Sequence, residues 1–260
     1  MSKTKIHATA IVDAKADLDS GVEVGPYCIV RKGVSIGKGT RLLSHVIVEG
    51  PCEIGENNTI HPFASIGFAP QDLKYKGEDT RLVVGNQNII REYVTLHRAS
   101  VNGERITSVG DSNYLMSYVH IAHDCRIGSN VIMANAATLA GHVLVEDHAI
   151  IGGLVAIHQF TRIGRYAMVG GFSGIGQDIP PYMIASGARA KLFGPNAIGL
   201  KRHGFPDATI NAIKKSYKIL FREKRTLRDA IAAVRNDFPH IPEIKHLIDF
   251  IEKNKRGICR

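Results

Sequence analysis

Residues that could carry chemistry stand close together in the stretch MSYVHIAHDCRIGSN, residues 116–130. His120 and His123 are three residues apart, and Asp124 directly follows the second histidine. An imidazole can ligate a metal ion or act as a general base near neutral pH, and a neighbouring carboxylate can orient it for proton transfer. The same residues could also decorate a surface, so their position in the fold has to decide between these interpretations.

An internal repeat predicts the elements that position these residues. Aliphatic side chains recur every sixth residue over 6–66, return in the same frame over 84–96, and continue over 109–175 in a frame shifted by one residue. This period fits neither an α-helix nor a simple alternating strand. A second small or β-branched residue stands four positions later, as at Cys28 and Val46, which predicts a short strand with two inward side chains and then a turn. Three such units make one coil of a triangular parallel β-helix, whose filled interior leaves any site on the outside.

Counting along coils of three units each places several histidines on one edge of the predicted prism. His123, His142 and His158 fall within two positions of one another on three successive coils, His120 lies near them, and none has an inward phase. His148 belongs to a different edge. Metal binding is an alternative, but His120 and His123 differ in phase and no carboxylate set completes a ligand group. General-base catalysis by His123 is therefore favoured.

The residue one coil above His123 is Gly141. A backbone N–H there could face a developing oxyanion while the imidazole takes a proton, which is an arrangement typical of acyl transfer. A prism edge alone is convex, whereas three prisms packed around a three-fold axis would create concave clefts. The pattern therefore predicts an acyltransferase whose sites lie between the subunits of a homotrimer.

The chain is predicted to form a repeat domain over residues 1–184 and a helical domain over residues 185–260. Asp72 and Glu78 fall on inward positions of the frame, so a loop near 71–80 must leave the prism. This loop could bind substrate or serve as a structural spacer. Helical patterns over 207–221, 226–234 and 242–251 predict a cap on the last coil.

The formal charge of +9 is concentrated over residues 201–228, where nine lysines and arginines stand against two acids. This stretch predicts either a solvated helix face or a docking surface for an acidic partner. Nucleic acid is disfavoured, because no recognition motif accompanies the charge. Neither a disulfide framework nor a signal-peptide pattern is evident, and the uncharged stretch 127–145 keeps the six-residue phase. We expect a cytoplasmic protein without stable membrane insertion.

The segments between the repeats resemble those of the UDP-N-acetylglucosamine 3-O-acyltransferases of lipid A biosynthesis, through HPFASIG, QDLKYKGE, HIAHDC, ATLAGHV, AIIGG, HQF, MVGG, QDIPPY and GLKRHGF. The resemblance covers essentially the whole chain. It implies an all-β repeat domain plus α, namely a left-handed parallel β-helix of hexapeptide repeats with a C-terminal helical domain, assembled as a homotrimer. It also implies transfer of a (3R)-hydroxyacyl group from acyl carrier protein to the glucosamine 3-hydroxyl of UDP-N-acetylglucosamine, the first step of lipid A biosynthesis. We expect neither a metal nor a cofactor.

The resemblance also implies roles for individual residues. His123 is implied to be the general base, Asp124 to orient it, and the Gly141 N–H to donate to the oxyanion. The implied substrate-binding residues are Gln71, Asp72 and Lys74 on the loop, His120, His142, His158 and Gln159 around the base, Gly171 at the far end of the acyl groove, and Asn196 and Arg202 near the nucleotide or carrier.

Two positions depart from the family's pattern. Ile198 stands where an acidic residue is expected, and His203 stands where a second arginine is expected. Recognition of the nucleotide or carrier near 198–203 is therefore in question. The related N-acyltransferase, a metal-dependent hydratase and a noncatalytic scaffold are the alternative functions. Acyl length and the choice between a 3-hydroxyl and a 3-amino acceptor stay open.

Overall fold

The computed structural model describes residues 3–260, so the first two residues of the predicted 1–184 domain lie outside the described residues. Most strands are two residues long, as expected for one strand in each six-residue unit. In chain order the strands are β1 Lys5–Ile6, β2 Ile11–Val12, β3 Asp17–Leu18, β4 Glu23–Val24, β5 Ile29–Val30, β6 Val34–Ile36, β7 Arg41–Leu42, β8 Ile47–Val48, β9 Cys52–Ile54, β10 Thr59–Ile60, β11 Ser65–Phe68, β12 Arg81–Val84, β13 Ile89–Ile90, β14 Thr95–His97, β15 Ile106–Val109, β16 Tyr114–Leu115, β17 His120–Ile121, β18 Arg126–Ile127, β19 Ile132–Met133, β20 Thr138–Leu139, β21 Leu144–Val145, β22 Ile150–Ile151, β23 Ala156–Ile157, β24 Arg162–Ile163, β25 Met168–Val169, β26 Gly174–Ile175, β27 Met183–Ser186 and β28 Lys191–Pro195.

Equivalent strands of successive coils pair in parallel and form the three faces of a prism. β1 pairs with β4 in the register Lys5↔Glu23, an offset of three repeat units, and the pairs β2–β5 and β3–β6 repeat this offset. Sheet 1 begins with β1, sheet 2 with β2 and sheet 3 with β3, and they contain 11, 9 and 8 strands. The prediction of a triangular parallel β-helix is confirmed.

Two insertions interrupt the coils. The register Thr59↔Ile89 spans five repeat units instead of three, and the two extra units form a first loop over 69–80. The register Ile89↔Tyr114 spans four units and one residue, and this excess belongs to a second loop over 98–105. The sequence pattern required at least part of the first interval, between Ile66 and Val84, to leave the prism, and it indicated a one-residue shift for the second interval. The structure shows that residues 69–80 leave the prism as two complete units, and that the second shift is one complete unit plus one residue.

The interior is filled by two side chains from each unit. Val22 and Val24 are 0% and 2% exposed, and Cys28 and Val30 of the next unit are fully buried. Burial of an aliphatic side chain of this size contributes roughly 1.5–3 kcal/mol relative to exposure. Since these side chains leave no room for a substrate inside the prism, a site formed by the repeat domain lies on a face, an edge or a loop.

Tight turns join the sheets and define three edges. The first edge lies between sheets 1 and 2 and carries Tyr118, the second lies between sheets 2 and 3 and carries Asp124 and His142, and the third lies between sheets 3 and 1 and carries His148. All four residues have positive φ, between 58° and 66°. This conformation costs a non-glycine residue about 1–3 kcal/mol, so the closed coil has to impose it.

The last coil leads into a helical domain. β27 adds to sheet 1 in parallel and β28 pairs with it antiparallel, so the predicted division at 184/185 falls inside β27. The helices are α1 Ala197–Arg202, α2 Asp207–Phe221, α3 Leu227–Asp237 and α4 Pro242–Glu252. Thr226 caps α3 by accepting a hydrogen bond from the Asp229 N–H, and a proline opens α4. Three helices follow the predicted ranges closely, whereas α1 was not predicted.

The helical domain covers the end of the prism through polar and apolar contacts. Arg162 Nη2 donates to the Phe250 carbonyl at 2.8 Å, and its Nε donates to Asp178 Oδ2 at 2.8 Å.

No helix within residues 3–260 combines the length and the apolar composition needed to cross a bilayer. All four cysteines are buried free thiols, and the pKa of Cys52 and of Cys125 is raised by burial to about 12.

Candidate active site

A groove of about 510 Å³ runs between the outer face of sheet 2 and the second edge. Its lining brings together many of the predicted residues, namely Gln71, His120, His123, Gly141 and Gln159, together with His97, Ala122, Thr138, Leu139, Ala140, Ala156 and Ile157. His120 lies on β17, and His123 and Gly141 occupy the same turn position on successive coils. The repeat therefore brings residues distant in sequence to one surface.

His123 and Asp124 form a hydrogen-bonded dyad on the wall of this groove. His123 Nδ1 lies 2.7 Å from Asp124 Oδ2, and the two side chains are 17% and 3% exposed. Burial raises the pKa of Asp124, but hydrogen bonds from His123 and Ser100 outweigh it and hold the pKa below its usual value. Because the ionised carboxylate only accepts, the Nδ1 of His123 donates, which leaves Nε2 as the basic atom.

Two further histidines of the groove, His97 and His120, have a lowered pKa. His97 Nδ1 donates to the Ala69 carbonyl at 2.6 Å, and His120 Nδ1 lies 2.7 Å from Thr95 Oγ1. Burial lowers the pKa of His97, and it lowers the pKa of His120 to about 4, with repulsion from His97 and His123 adding to the effect on His120. Both rings are therefore uncharged near neutral pH and offer polar groups to a substrate.

His142 lies beside the dyad. Its Nε2 is 3.7 Å from Asp124 Oδ2, and its ring stacks on Phe160 with centroids 4.5 Å apart. Burial lowers the pKa of His142, although the charge of Asp124 acts in the opposite direction. A single carboxylate oxygen thus has two imidazole neighbours, of which His123 is clearly the closer.

Gly141 packs against the ring of His123. A Cβ at Gly141 would lie 2.5 Å from Cε1 and 2.8 Å from Nε2 of that ring. The Gly141 N–H donates to no acceptor within residues 3–260. The geometry therefore combines two groups on one wall of the groove. The basic nitrogen can take a proton, and the unused backbone donor can stabilise an oxyanion.

The first loop carries the three predicted residues Gln71, Asp72 and Lys74, of which Gln71 lines the groove. Arg98 donates through Nη1 to the Gly67 carbonyl at 2.8 Å and through Nε to the Tyr75 hydroxyl at 3.3 Å. Gln71 reaches the groove lining, and the charge of Asp72 acts on His142. Lys74 is exposed.

His158 stands on the second edge beyond His142. It is exposed, and its Nδ1 lies 3.0 Å from Arg256 Nη2 and 3.1 Å from the Gln159 carbonyl. Because guanidinium donates and carbonyl accepts, a neutral ring can satisfy only one of these contacts at a time. Gln159 also belongs to the groove lining.

The remaining predicted residues lie on other edges of the same chain. Gly171 is in a turn of the first edge, where a Cβ would meet the Gly153 carbonyl oxygen at 3.2 Å. Asn196 is buried at the start of α1, where its Oδ1 accepts from the Gly199 N–H and its Nδ2 donates to the Tyr166 carbonyl. Both ends of the carboxamide are thus engaged within the chain. The predicted role of Asn196 in binding the nucleotide or carrier stays a prediction.

Arg202 is exposed in the last turn of α1, next to the third edge. His203 ends this helix, and its ring contacts His148 and Tyr166 of the third edge at centroid distances of 5.3 and 5.1 Å. Ile198 is 71% exposed. Within one chain these residues do not join the groove around His123.

A cation could in principle be bound by His123, Asp124 and His142, whose ligand atoms lie within 4.8 Å of one another. However, the Nδ1 and Oδ2 atoms of the dyad are separated by 2.7 Å, which is a hydrogen-bond distance with a proton between them. A metal ion held between this Nδ1 and this Oδ2 would have to displace that proton. The hydrogen-bonded pair fits a base and its orienting partner.

Sequence reasoning missed several residues that support the site. Ser100 and Thr107 hold Asp124, His97 lines the groove, and Arg98 anchors the first loop. All four lie in or beside the second loop. The only sequence signal was the frame shift between residues 96 and 109, which marks an insertion but not its contacts.

A parallel β-helix of six-residue units with a histidine–aspartate dyad on one edge defines a hexapeptide-repeat transferase. The bacterial transferase hexapeptide family matches residues 33–68 and 106–141, and the family described as Udp N-acetylglucosamine O-acyltransferase, domain 2, matches residues 178–259. The chain belongs to the UDP-N-acetylglucosamine O-acyltransferase family.

Relatives and solved structures support this membership over the full length. The chain is 66% identical over 256 residues to the acyl-[acyl-carrier-protein]–UDP-N-acetylglucosamine O-acyltransferase of Thermodesulfovibrio yellowstonii, covering 98% of this chain and 99% of that one. It is 47% identical to LpxA from Acinetobacter baumannii and 45% identical to UDP-N-acetylglucosamine O-acyltransferase (LpxA) from Moraxella catarrhalis, each with a TM-score of 0.96 over 98% of this chain and 99% of the other. The predicted fold class, a left-handed parallel β-helix with a C-terminal helical domain, is confirmed.

Proposed function

We propose that this protein transfers a (3R)-hydroxyacyl group from acyl carrier protein to the glucosamine 3-hydroxyl of UDP-N-acetylglucosamine, the first step of lipid A biosynthesis. Family membership at 66% identity supports the reaction and both substrates. The observation that carries the mechanism is the His123–Asp124 dyad beside Gly141 on the groove wall. No metal or cofactor is needed for this chemistry.

In the proposed mechanism, His123 Nε2 removes the proton of the acceptor hydroxyl as its oxygen attacks the thioester carbonyl. The Gly141 N–H donates to the oxyanion of the tetrahedral intermediate. Collapse breaks the carbon–sulfur bond, and the protonated His123 returns its proton to the departing thiolate. Asp124 keeps Nδ1 protonated throughout, so Nε2 alone exchanges the proton. An ester and a free carrier thiol result.

The substrate ligands are proposed to be Gln71, Asp72 and Lys74 of the first loop, with His120, His142, His158 and Gln159 along the groove. Gly171 is proposed to limit the acyl chain, and Asn196 and Arg202 to contact the nucleotide or carrier. The exposed basic residues of α2 and the following turn, Lys214, Lys215, Lys218, Lys224 and Arg225, suit the acidic surface of an acyl carrier protein.

The protein is proposed to act as a homotrimer. His123 lies on the second edge, whereas Arg202 lies near the third and Gly171 on the first. One copy therefore cannot gather all the proposed ligands around one substrate, but neighbouring prisms could. Leu73, on the first loop, is fully exposed, as expected for a side chain that a neighbouring subunit covers. We also propose a cytoplasmic location, which suits four buried free thiols.

The experiment is carrier-dependent acylation by the purified protein. We expect an O-acylated UDP-N-acetylglucosamine, detected by mass spectrometry, from a panel of 3-hydroxyacyl carriers offered with the 3-hydroxyl or the 3-amino acceptor.

His123→Ala should lower kcat by roughly 10²–10⁴-fold, while replacing the exposed His240 by Ala should leave it unchanged. Exclusive use of the amino acceptor, or no transfer from any carrier, would reject the reaction. A folded His123→Ala variant with normal turnover would reject the base, and a stable, fully active monomer in sedimentation would reject the trimer.

A further inference from the structure

The second loop holds the carboxylate of Asp124 by one oxygen. Asp124 Oδ2 accepts from the Ser100 N–H at 3.0 Å and from the Ser100 hydroxyl at 2.7 Å, besides its contact with His123 Nδ1 at 2.7 Å. Oδ1 is buried and has no hydrogen-bond partner within residues 3–260. Ser100 itself is 1% exposed. All donors thus converge on the oxygen that orients the base.

The same loop confines the other oxygen. A Cβ at Gly103 would lie 2.5 Å from Asp124 Oδ1, so the loop backbone passes directly over this atom. Below it, the Asp124 N–H donates to Thr107 Oγ1 at 2.8 Å. The backbone of Asp124 has a φ of 60°, which an aspartate adopts stably only when its surroundings impose it. The carboxylate is therefore held by Ser100 and confined by Gly103, and Thr107 fixes the backbone of Asp124.

We propose that Ser100 is a positioning residue for acyl transfer, which directs Asp124 Oδ2 towards His123 and away from His142. This inference rests on the proposed function, because it assumes that His123 is the base. Freed from the Ser100 hydroxyl, the carboxylate can rotate and pair with His142 Nε2, which now lies 3.7 Å from Oδ2. His123 would then lose the partner that keeps its proton on Nδ1.

The electrostatics of the site agree with this role. The Ser100 hydroxyl and N–H both lower the pKa of Asp124 and so oppose the effect of its burial. The titratable groups that face Asp124 are His123 and His142, with the thiol of Cys125 next to it. Loss of the hydroxyl should therefore raise the pKa of Asp124 towards its usual value.

A double-mutant cycle tests the proposal. Ser100→Ala in the complete enzyme should lower kcat for acyl transfer by about 10- to 100-fold, as for loss of a hydrogen bond to a charged group, with little change in KM. Ser100→Thr, which restores the hydroxyl, should recover most of kcat. Asn102→Ala changes an exposed residue of the same loop and should leave activity unchanged. In an Asp124→Asn background, Ser100→Ala should cost less than about two-fold, since it acts through the carboxylate.

Gly103→Ala provides a second route, since a methyl group there pushes on Oδ1 without touching Ser100, and it should also lower kcat. Equal losses from Ser100→Ala in the wild-type and Asp124→Asn backgrounds would overturn the proposal. So would a folded Ser100→Ala enzyme with normal kcat. If the wild-type enzyme transfers no acyl group to the hydroxyl acceptor, the proposed reaction fails, and if His123→Ala and Asp124→Asn keep full activity, the proposed base fails. If both variants are inactive while Ser100→Ala is normal, only this inference fails.

Discussion

Gly141 lies so close to His123 that a single methyl group would collide with the imidazole, 2.5 Å from its Cε1. The two residues occupy the same turn position on successive coils, so the stacking of the β-helix itself sets this contact. The absence of a side chain at 141 is what leaves the ring room to face the groove. Its backbone donor and the basic nitrogen consequently share one wall.

Gly141→Ala should displace His123 from its partner and its substrate. Misplacement of a catalytic group by about 1 Å can lower the rate by roughly 10²-fold, and we expect a loss of this order in kcat/KM. Gly176→Ala is the control, because a Cβ there meets nothing within 4 Å. Steady-state kinetics and thermal unfolding separate lost activity from lost stability. Near-normal turnover in Gly141→Ala would contradict the described packing.

Lys74→Ala should weaken substrate binding without unfolding the chain. The first loop lies outside the repeated core and is held by hydrogen bonds from Arg98 to Tyr75 and Gly67, neither of which involves the Lys74 side chain. We expect a raised KM for one substrate, by about ten-fold if the ammonium contacts an anionic group. Lys76→Ala changes another exposed lysine of the loop and should leave both KM values unchanged. Identical kinetics for both variants would instead support a structural spacer.

The repeat and the helices could be predicted from sequence because each depends on local periodicity. The aliphatic positions over 109–175 are buried as the frame requires, and α2 has the predicted bounds of Asp207–Phe221. The histidines of the second edge followed from counting along the same frame. Handedness did not follow from the period, since the usual right-handed crossover rule favours the opposite hand.

The loops could not be predicted, because their conformation depends on tertiary contacts. Nothing in the spacing places Ser100 beneath Asp124, 24 residues later in the chain. A frame counted in sixes also fails to separate an insertion as long as two units from two unbroken units, which is why the first loop was only partly recognised. The sequence also did not predict a buried ladder of hydrogen bonds among Asn58, Asn88 and Asn113. These bonds join residues of successive coils, which lie far apart in the sequence.

Acid should destabilise the protein partly through His120. Its pKa is about 4 in the folded protein, against 6.5 for the unperturbed group, so between these values the unfolded state binds more protons. The unfolding free energy should therefore fall as the pH falls through this window, by less than about 1.4 kcal/mol per unit because the ring is partly exposed. Urea unfolding at about pH 7 and about pH 5 should show a smaller fall for His120→Gln than for wild type or for the exposed control His240→Gln. Equal falls in all three would refute this.

Gly171→Met should shift the preference of the enzyme from long to shorter 3-hydroxyacyl chains. Gly171 does not have a left-handed φ, so its backbone conformation does not require glycine. A Cβ there would be 3.2 Å from the Gly153 carbonyl oxygen, so a longer side chain has to project outward into the space proposed for the chain end. Each methylene that a long chain can no longer bury costs about 0.8 kcal/mol, or roughly a four-fold loss in relative kcat/KM.

Gly176→Met adds the same side chain at an open position between sheets 2 and 3, and it controls for a general effect of methionine. Competition between long and short acyl carriers, measured on wild type and both variants, provides the test. Parallel losses on every chain length in Gly171→Met would show that the glycine serves close packing against Gly153 and does not measure the acyl chain.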